Sequence, residues 1–280
     1  MPGSTKDYVG ALPVDARMLL SNHRGIREAG LVRRRTRLAA RLGSLKRYLE
    51  DGERVTMITL LARHAGPWRV LRKEPASRAL LVFTDRRLFQ VPVARRGGRR
   101  CAVAQIRYTE RQRAELRGGT LIFWFGGGGW ERLPGIPIAD RAKVRRLLKA
   151  LPPPRKSGRR RCKRYLCPRC TATLGAGTRR CEGCGLDFHD PASCARKGLL
   201  LPGGGYFHLG CRQQARRCAA MEITVLAATL FGVAAAPDAW LSVVAAGIIV
   251  LAGLRLSHAR HARRLAEGYV PVGAVRPTRR

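Results

Sequence analysis

The spacing of hydrophobic positions changes along the chain, and the first spacing is helical. In residues 13–50 leucines recur three, four or seven positions apart, and arginines such as Arg34 and Arg35 occupy positions between them. This period places the leucines on one side of a helix, so we predict that Pro13–Glu50 is a basic amphipathic helix with solvated arginines. Its apolar side can cover a neighbouring domain or lie on an anionic membrane surface. The leucines are Leu31, Leu38, Leu42, Leu45 and Leu49.

From residue 53 the apolar residues form short runs that are rich in β-branched and aromatic types and are bounded by Gly, Pro or Asp, as in strands. The predicted strands are Val55–Ala62, Ala79–Phe83, Arg87–Val93, Ala104–Thr109 and Thr120–Phe125. Helical spacing returns in Ala139–Leu151, and the three prolines that follow end this helix. We therefore predict an α+β chain in which residues 1–50 are helical and residues 51–151 form an antiparallel β-meander closed by a helix.

Residues 49–151 resemble the bacterial pleckstrin-homology-like (PH-like) domains. The resemblance rests on LEDGERV at residues 49–55 and on LLVFTDRRLFQV at residues 80–91, and the turn Thr84-Asp85-Arg86-Arg87 is its most specific part. It covers roughly a third of the chain and implies a curved antiparallel β-barrel plugged by the C-terminal helix. Because domains of this family bind either proteins or lipids, the resemblance transfers no ligand-binding residues.

Cysteine is concentrated in one part of the chain, since eight of the nine cysteines fall between Cys162 and Cys218. Two C-x-x-C pairs are ten residues apart, and Gly175-Ala176-Gly177 between them can form a hairpin turn. Such a hairpin would place four thiolates around one ion, and a closed tetrahedral thiolate set favours structural Zn²⁺, although iron fits the same spacing. The first ten residues show no signal peptide, so clustered cysteines are expected to be metal ligands in a reducing cytosol. The predicted ligands are Cys167, Cys170, Cys181 and Cys184.

Residues 165–188 are similar to the zinc ribbons, in which a glycine follows each C-x-x-C pair. Gly185 keeps this position, whereas Thr171 replaces the first glycine and is expected to loosen its turn. We assign residues 162–190 to this ribbon and residues 152–161 to a Pro/Arg linker. Other residues of types that can bind a metal include Cys194, His208 and Cys211, a trio that could form a second site. We expect them instead to pack as part of the protein interior. The others are Cys162, Cys218 and His189.

Basic residues are missing from one long stretch, Ala219–Leu254, whose only charges are Glu222 and Asp238. Pro237-Asp238 divides it into two apolar runs, each about 25 Å long as a helix, close to the ~30 Å of a bilayer core. Neither run has the polar face of a helix in a soluble hairpin. We therefore predict a transmembrane helical hairpin over residues 219–256, with Glu222 close to the membrane interface.

Arginines flank this hairpin on both sides and are missing from its turn. By the positive-inside rule, both termini of a multi-pass inner-membrane protein would then face the cytoplasm, including the basic tail at residues 257–280. His258 and His261 share one helix side and are expected to be interfacial. The flanking residues are Arg212, Arg216, Arg217, Arg255, Arg260, Arg263 and Arg264.

Ahead of the hairpin, residues 195–210 (ARKGLLLPGGGYFHLG) resemble the PG-G-FYLG segment of small bacterial membrane proteins of the TM2-like kind. His208 stands where that pattern has Tyr, and three consecutive glycines replace a single spaced one. The resemblance, extended to about residue 256, makes residues 191–218 a membrane-approach segment. It implies that Leu199–Leu201 enters the membrane and that Cys194 and Cys211 flank it.

The formal charge is +37, and 47 of the 55 basic residues are arginine, so part of this charge reflects codon bias. The sequence shows no nucleotide-binding loop, catalytic triad or paired carboxylates, so we expect no enzymatic activity. We predict a membrane protein that presents a PH-like domain and a zinc ribbon to the cytoplasm as an adaptor for a protein partner or an anionic lipid. The alternative is a nucleic-acid-binding protein that uses the zinc ribbon and its Arg-rich surface.

Overall fold

The structure is a computed structural model that describes residues 8–9, 12–40, 42–62, 78–92, 101–151, 153 and 163–273 of the 280-residue chain. Except for Pro153, the predicted linker lies outside the described residues, as does Cys162. The described chain is α+β and forms two compact units that divide between Leu174 and Gly175, with Cys101 counted in the second.

The first unit contains all eleven described strands. They are β1 (Tyr8–Val9), β2 (Leu12–Pro13), β3 (Val55–Ala62), β4 (Arg78–Thr84), β5 (Arg87–Pro92), β6 (Val103–Arg107), β7 (Arg111–Arg117), β8 (Thr120–Phe125), β9 (Trp130–Pro134), β10 (Lys163–Leu166) and β11 (Thr173–Leu174). The helices are α1 (Ala16–Leu20), α2 (Ala29–Ala40) and α3 (Ile138–Lys149), with 3₁₀ turns at Gly43–Tyr48, Tyr108–Glu110 and Gly126–Gly128. Antiparallel pairing gives a six-stranded sheet in the order β11-β10-β6-β5-β4-β3, a three-stranded sheet β7-β8-β9 and the pair β1-β2.

The β3–β6 part of the six-stranded sheet packs against a core on each face, which explains the continuous apolar runs in β4 and β5. Leu81 and Phe83 face a core that includes β8 and helix α3. Their neighbours Leu80 and Val82 point to the opposite face, which the N-terminal segment covers.

The N-terminal segment is not one helix, so the prediction of a helix over Pro13–Glu50 is wrong in extent. Helix α1 ends at Leu20 and α2 begins only at Ala29, and Gly25 takes a left-handed conformation (φ 86°) in the loop between them. Leu42 and Leu45 are buried in the core on this face of the sheet, as expected if the leucine stripe covers a neighbouring domain.

Arg35 is buried, contrary to the expectation that the arginines of this segment are solvated. Its guanidinium donates hydrogen bonds to the carbonyl oxygens of Leu19 and Ser21, both at 2.6 Å, and to Asp140 at 3.2 Å. A buried cation is tolerated when it is paired and hydrogen-bonded in this way. The interaction ties α2 to the loop after α1 and to the first turn of α3.

The five predicted strands and the closing helix are present, but β7 and β9 were not predicted. The sequence of β7, RQRAELR, is mostly charged, and only Arg111 and Leu116 are buried. Strand β9, WERLP, buries only Leu133. Both strands pair with β8, whose apolar run supplies most of the hydrophobic signal in this sheet.

The second unit is helical where it is described beyond the cysteine region. Its helices are α4 (Pro191–Leu200), α5 (Gly204–His208), α6 (Arg212–Ala235) and α7 (Trp240–Ala266), with a 3₁₀ turn at Pro237–Ala239. The three consecutive glycines allow α5 to approach its neighbours closely. A Cβ atom on Gly203 would lie 2.3 Å from the Ala215 carbonyl oxygen, and one on Gly205 would lie 2.8 Å from the Ala262 Cβ.

Helices α6 and α7 are long and apolar enough to cross a membrane. They form the predicted hairpin, with its turn at Pro237–Ala239, and extend beyond it at the basic ends. Large apolar side chains remain exposed along both helices, including Phe231 (76% exposed) and Ile249 (71%).

Candidate metal centre and helical base

The first C-x-x-C pair begins where β10 ends. The Cys167 N–H donates to the Ala172 carbonyl oxygen at 2.8 Å, and the Thr171 N–H donates to the Cys167 carbonyl oxygen at 3.0 Å. The Arg169 N–H points at the Cys167 sulfur at 3.4 Å. The chain therefore folds back around the first thiol, and Cys167 is fully buried.

The second pair repeats this pattern of backbone hydrogen bonds. The Cys181 N–H donates to the Leu186 carbonyl oxygen at 2.9 Å, and the Gly185 N–H donates to the Cys181 carbonyl oxygen at 2.8 Å. Thr171 and Gly185 occupy equivalent positions with φ values of 65° and 69°. Thr171 therefore forms the same turn as glycine, in a left-handed conformation that costs a side chain about 1–2 kcal/mol.

The structure brings the four predicted ligands together, because their sulfur atoms lie within 4.8 Å of one another. In a tetrahedron with metal–sulfur distances of ~2.3 Å, sulfur atoms lie about 3.8 Å apart, so small movements suffice to bind an ion. Cys167 and Cys181 are buried, whereas Cys170 and Cys184 are partly exposed. The donor set and its spacing fit a closed thiolate site.

The chain that follows α7 returns to the second C-x-x-C pair. Tyr269 Oη donates to the Gly175 carbonyl oxygen at 2.6 Å and accepts from the Gly177 N–H at 3.2 Å, which holds the hairpin turn. The Tyr269 ring packs edge-on against Phe188 at 5.5 Å. Within the second unit, the end of the apolar hairpin is thus tied to the region of the second C-x-x-C pair.

A buried charge network lies between α6 and α7. Glu222 is fully buried and accepts hydrogen bonds from Arg255 Nε at 3.2 Å and His258 Nδ1 at 3.0 Å. Arg255 also donates to the Leu199 carbonyl oxygen at 3.3 Å. Glu222 and His258, which were predicted to lie at the membrane interface, are thus buried against the neighbouring helix, and Arg255 pairs inside the hairpin instead of only flanking it.

The other predicted flanking arginines lie on the surface of the two helix ends. Those that precede the hairpin are in the first two turns of α6, and those that follow it are in the last turns of α7. The exposed arginines are Arg212, Arg216, Arg217, Arg260, Arg263 and Arg264. His261 is partly buried and its Nδ1 lies 2.7 Å from Tyr206 Oη.

A second group of metal-ligand types comprises His189, Cys194 and His208, whose ligand atoms lie within 4.8 Å of one another. The trio considered from the sequence had Cys211 in place of His189. Burial, together with Asp190, raises the pKa of Cys194 to about 11. Burial and the nearby Lys197 lower the pKa of His208.

The turn at residues 84–87 anchors a buried ion pair in the first unit. Arg87 donates to Glu53 through Nε at 3.0 Å and Nη2 at 2.6 Å, and Thr84 Oγ1 donates to the same carboxylate at 2.7 Å. Burial alone would raise the pKa of Glu53, but hydrogen bonds from Arg87, the Glu50 N–H and Thr84 outweigh it and lower that pKa. The Thr84–Arg87 motif therefore has a structural role, which its charged residues alone did not indicate.

Comparisons of the chain with protein-family models, curated proteins and solved structures found no match.

Proposed function

We propose that this protein is a non-enzymatic membrane-anchored adaptor whose apolar hairpin spans the bilayer. The observation that carries the proposal is the exposure of the large apolar side chains along α6 and α7, including Leu230 (70%) and Ile248 (61%). Water-exposed side chains of this size forfeit the gain from burial, about 1.5–3 kcal/mol each, whereas a hydrocarbon environment recovers it. A bilayer is the natural solvent for such a surface.

We infer the level of the membrane interface from the end of the hairpin that lies opposite its turn at Pro237–Ala239. Leu199, Leu200 and Leu201 are exposed at the end of α4, and Arg255 reaches the Leu199 carbonyl oxygen from α7. Because Glu222 neutralises Arg255, that arginine can lie close to the hydrocarbon boundary at reduced cost. This arrangement supports the TM2-like proposal that the apolar end of α4 enters the interface.

The proposed orientation of the hairpin rests on the exposed arginines where α6 begins and α7 ends, and on the absence of arginine from the turn at Pro237–Ala239. These charges favour a cytoplasmic location for both termini. That compartment also keeps thiols reduced, as the four-cysteine cluster requires. Zn²⁺ is the ion we propose for that cluster, since four thiolates form a closed site without redox chemistry.

The PH-like assignment is supported by the strand order of the first unit. Four antiparallel strands, β3 to β6, are followed by three, β7 to β9, and then by α3, which packs on the core. We propose that this unit binds a protein partner or an anionic lipid. Ile138, at the start of α3, is 79% exposed and offers a place for a photo-crosslinker that reports such a neighbour. A reproducible protein or lipid adduct in membranes supports the adaptor proposal, and a chain without adducts contradicts it.

Membrane anchoring is tested by fractionating cells that express the full chain and washing the membranes with high salt and carbonate. The parent protein stays in the pellet, and the substitution of Leu230 and Ile249 together by Lys reduces its retention, because each central charge costs about 2.5–3.5 kcal/mol in a spanning helix. Ile138→Lys is the matched control, since it also adds a cation at an exposed apolar position but lies outside the hairpin. Release of the parent protein by carbonate would contradict the proposal.

A second candidate function, nucleic-acid binding, is favoured by helix α2, where Arg33 and Arg37 are exposed. Exposed arginines on one helix can neutralise phosphates, and such binding weakens steeply as salt increases. The full chain in detergent would then retain duplex DNA or RNA at low salt, and Arg33→Ala with Arg37→Ala would reduce the salt dependence. Salt-independent or undetectable binding would exclude this function.

A further inference from the structure

A second group of potential metal ligands lies within the helical unit, in addition to the four-cysteine cluster. His189, Cys194 and His208 each offer one ligand atom, and these three atoms lie within 4.8 Å of one another. Nitrogen and sulfur ligands of one tetrahedral Zn²⁺, at ~2.0–2.3 Å from the ion, lie about 3.3–3.8 Å apart. Small side-chain movements therefore bring all three atoms to one ion.

The backbone holds these residues from three short segments. The His189 N–H donates to the Val270 carbonyl oxygen at 3.0 Å, which fixes this residue beside the chain that follows α7. The Asp190 side chain accepts the Ser193 N–H at 3.0 Å and caps α4, so Cys194 lies in the first turn of that helix. His208 is the last residue of α5.

Burial and donor chemistry favour a metal at this place. Cys194 is fully buried, His189 is 7% exposed and His208 is partly exposed, so two of the three residues are shielded from solvent. The two imidazole rings meet edge-to-face with centroids 4.7 Å apart. Imidazole nitrogen and thiolate sulfur are both preferred ligands of Zn²⁺, and two such rings beside a buried thiol form a His₂Cys donor set.

His208 has a ring nitrogen that is able to bind a metal. Its Nδ1 lies 3.0 Å from Lys197 Nζ. Lysine can only donate a hydrogen bond, so this nitrogen presents a lone pair. The contact is exposed, so the flexible lysine side chain can move away where Nδ1 is the nitrogen that binds the ion.

We propose that His189, Cys194 and His208 bind a Zn²⁺ ion, with water in the fourth coordination position. The competing explanation is that Cys194 is only a small apolar residue in the core formed with Tyr206 and Leu209. Cys218 belongs to the same core and is also buried, but it is not one of the three ligands. It therefore provides a matched cysteine control.

The test measures zinc per chain in the full-length protein after purification in detergent and removal of weakly bound metal, with helicity recorded for every variant. Cys194→Ser and His208→Gln are each expected to lose one equivalent relative to the parent, and Cys218→Ser is expected to lose none. Because the readout is a difference of one equivalent, it does not depend on which ion the four-cysteine cluster holds. Parent-like zinc content in both ligand variants overturns the proposal.

His208→Gln keeps the test valid if Cys194→Ser fails to fold, because His208 is only partly buried. With helicity unchanged, loss of one equivalent from His208→Gln supports the site, and full retention overturns it. Loading with Co²⁺ gives a second readout. The parent-minus-His208→Gln spectrum is expected to show the visible bands of a tetrahedral site, and a featureless difference spectrum overturns the proposal.

Discussion

Substitution of Glu53 tests the buried ion pair behind the Thr84–Arg87 turn. The Glu53 side chain is fully buried and its carboxylate accepts hydrogen bonds from Arg87, Thr84 and the Glu50 N–H. Removing one partner of a buried pair costs about 3–5 kcal/mol, and Arg87 would then have the more exposed Glu50, 3.3 Å from its Nη1, as its acidic partner. Glu53→Ala is therefore expected to destabilise the first unit by this amount, whereas replacing both partners, Glu53→Leu with Arg87→Met, is expected to restore much of the stability.

The assay is urea unfolding of the full chain in detergent, followed by tryptophan fluorescence. At about 2 kcal/mol per molar urea, the loss lowers the unfolding midpoint by roughly 2 M. Glu115→Ala is the control, since Glu115 pairs with Arg113 and Arg117 at the surface, and its midpoint is expected to match that of the parent. A Glu53→Ala midpoint within about 0.5 M of the parent would show that the buried pair contributes little to stability.

The same pair has a pH signature. The pKa of Glu53 is lowered in the folded state, so its contribution to stability is present above the unfolded pKa of about 4.3 and is lost as the pH falls through the lower folded value. The stability difference between the parent and Glu53→Gln should therefore shrink below about pH 4.

Three further perturbations test other parts of the account. Burial lowers the pKa of Lys143 to about 7, so the unfolded chain binds more protons above that pH. The free energy of unfolding should then rise by about 2 kcal/mol between pH 7 and 10, after allowance for solvent screening, and Lys143→Met should remove the rise. Glu222→Leu removes the carboxylate that pairs with Arg255 and His258, so it should lower the free energy of unfolding of the hairpin in detergent by about 3 kcal/mol. Asp238→Ala, in the exposed turn, should have little effect. Unchanged melting of Glu222→Leu would show that the network is not stabilising. Thr171→Gly relieves the strain of a left-handed backbone conformation at a residue with a side chain. It should therefore strengthen metal binding by the four-cysteine cluster by about 1 kcal/mol, or roughly fivefold, as measured by chelator competition. Weaker metal binding would contradict this expectation.

Elements with a continuous or periodic apolar pattern could be predicted from the sequence. Strands β3 to β5 and helices α6 and α7 are rich in apolar residues, and turn-forming residues lie at their ends. Strand β7 could not be predicted, because most of its residues are charged or polar and only two of its side chains, Arg111 and Leu116, are buried. The break between α1 and α2 was missed because no proline marks the loop between them, and the leucine period that indicated a helix begins only at Leu31, after that loop.

The four-cysteine cluster was predictable because its cysteines recur at a short, fixed spacing. Glu222 and His258 are 36 residues apart, and only the register of two packed helices brings them together, so no local pattern indicates their contact. Arg35 looked solvated because charge usually marks a surface, yet two carbonyl oxygens and Asp140 compensate for its burial. His189 was overlooked as a partner of Cys194 and His208 because its position depends on the chain returning after α7.

A hairpin that spans the bilayer is tested most sharply by the side of the membrane on which its turn at Pro237–Ala239 lies. Asp238→Cys places a thiol in that turn, and spheroplasts that express the full chain are treated with a maleimide that cannot cross the bilayer. We expect Asp238→Cys to be labelled in intact spheroplasts, whereas the parent, with its own cysteines on the inner side, is labelled only after permeabilisation. Labelling of the parent from outside, or protection of the introduced thiol until the membrane is opened, would contradict a hairpin that spans the bilayer with both termini in the cytoplasm.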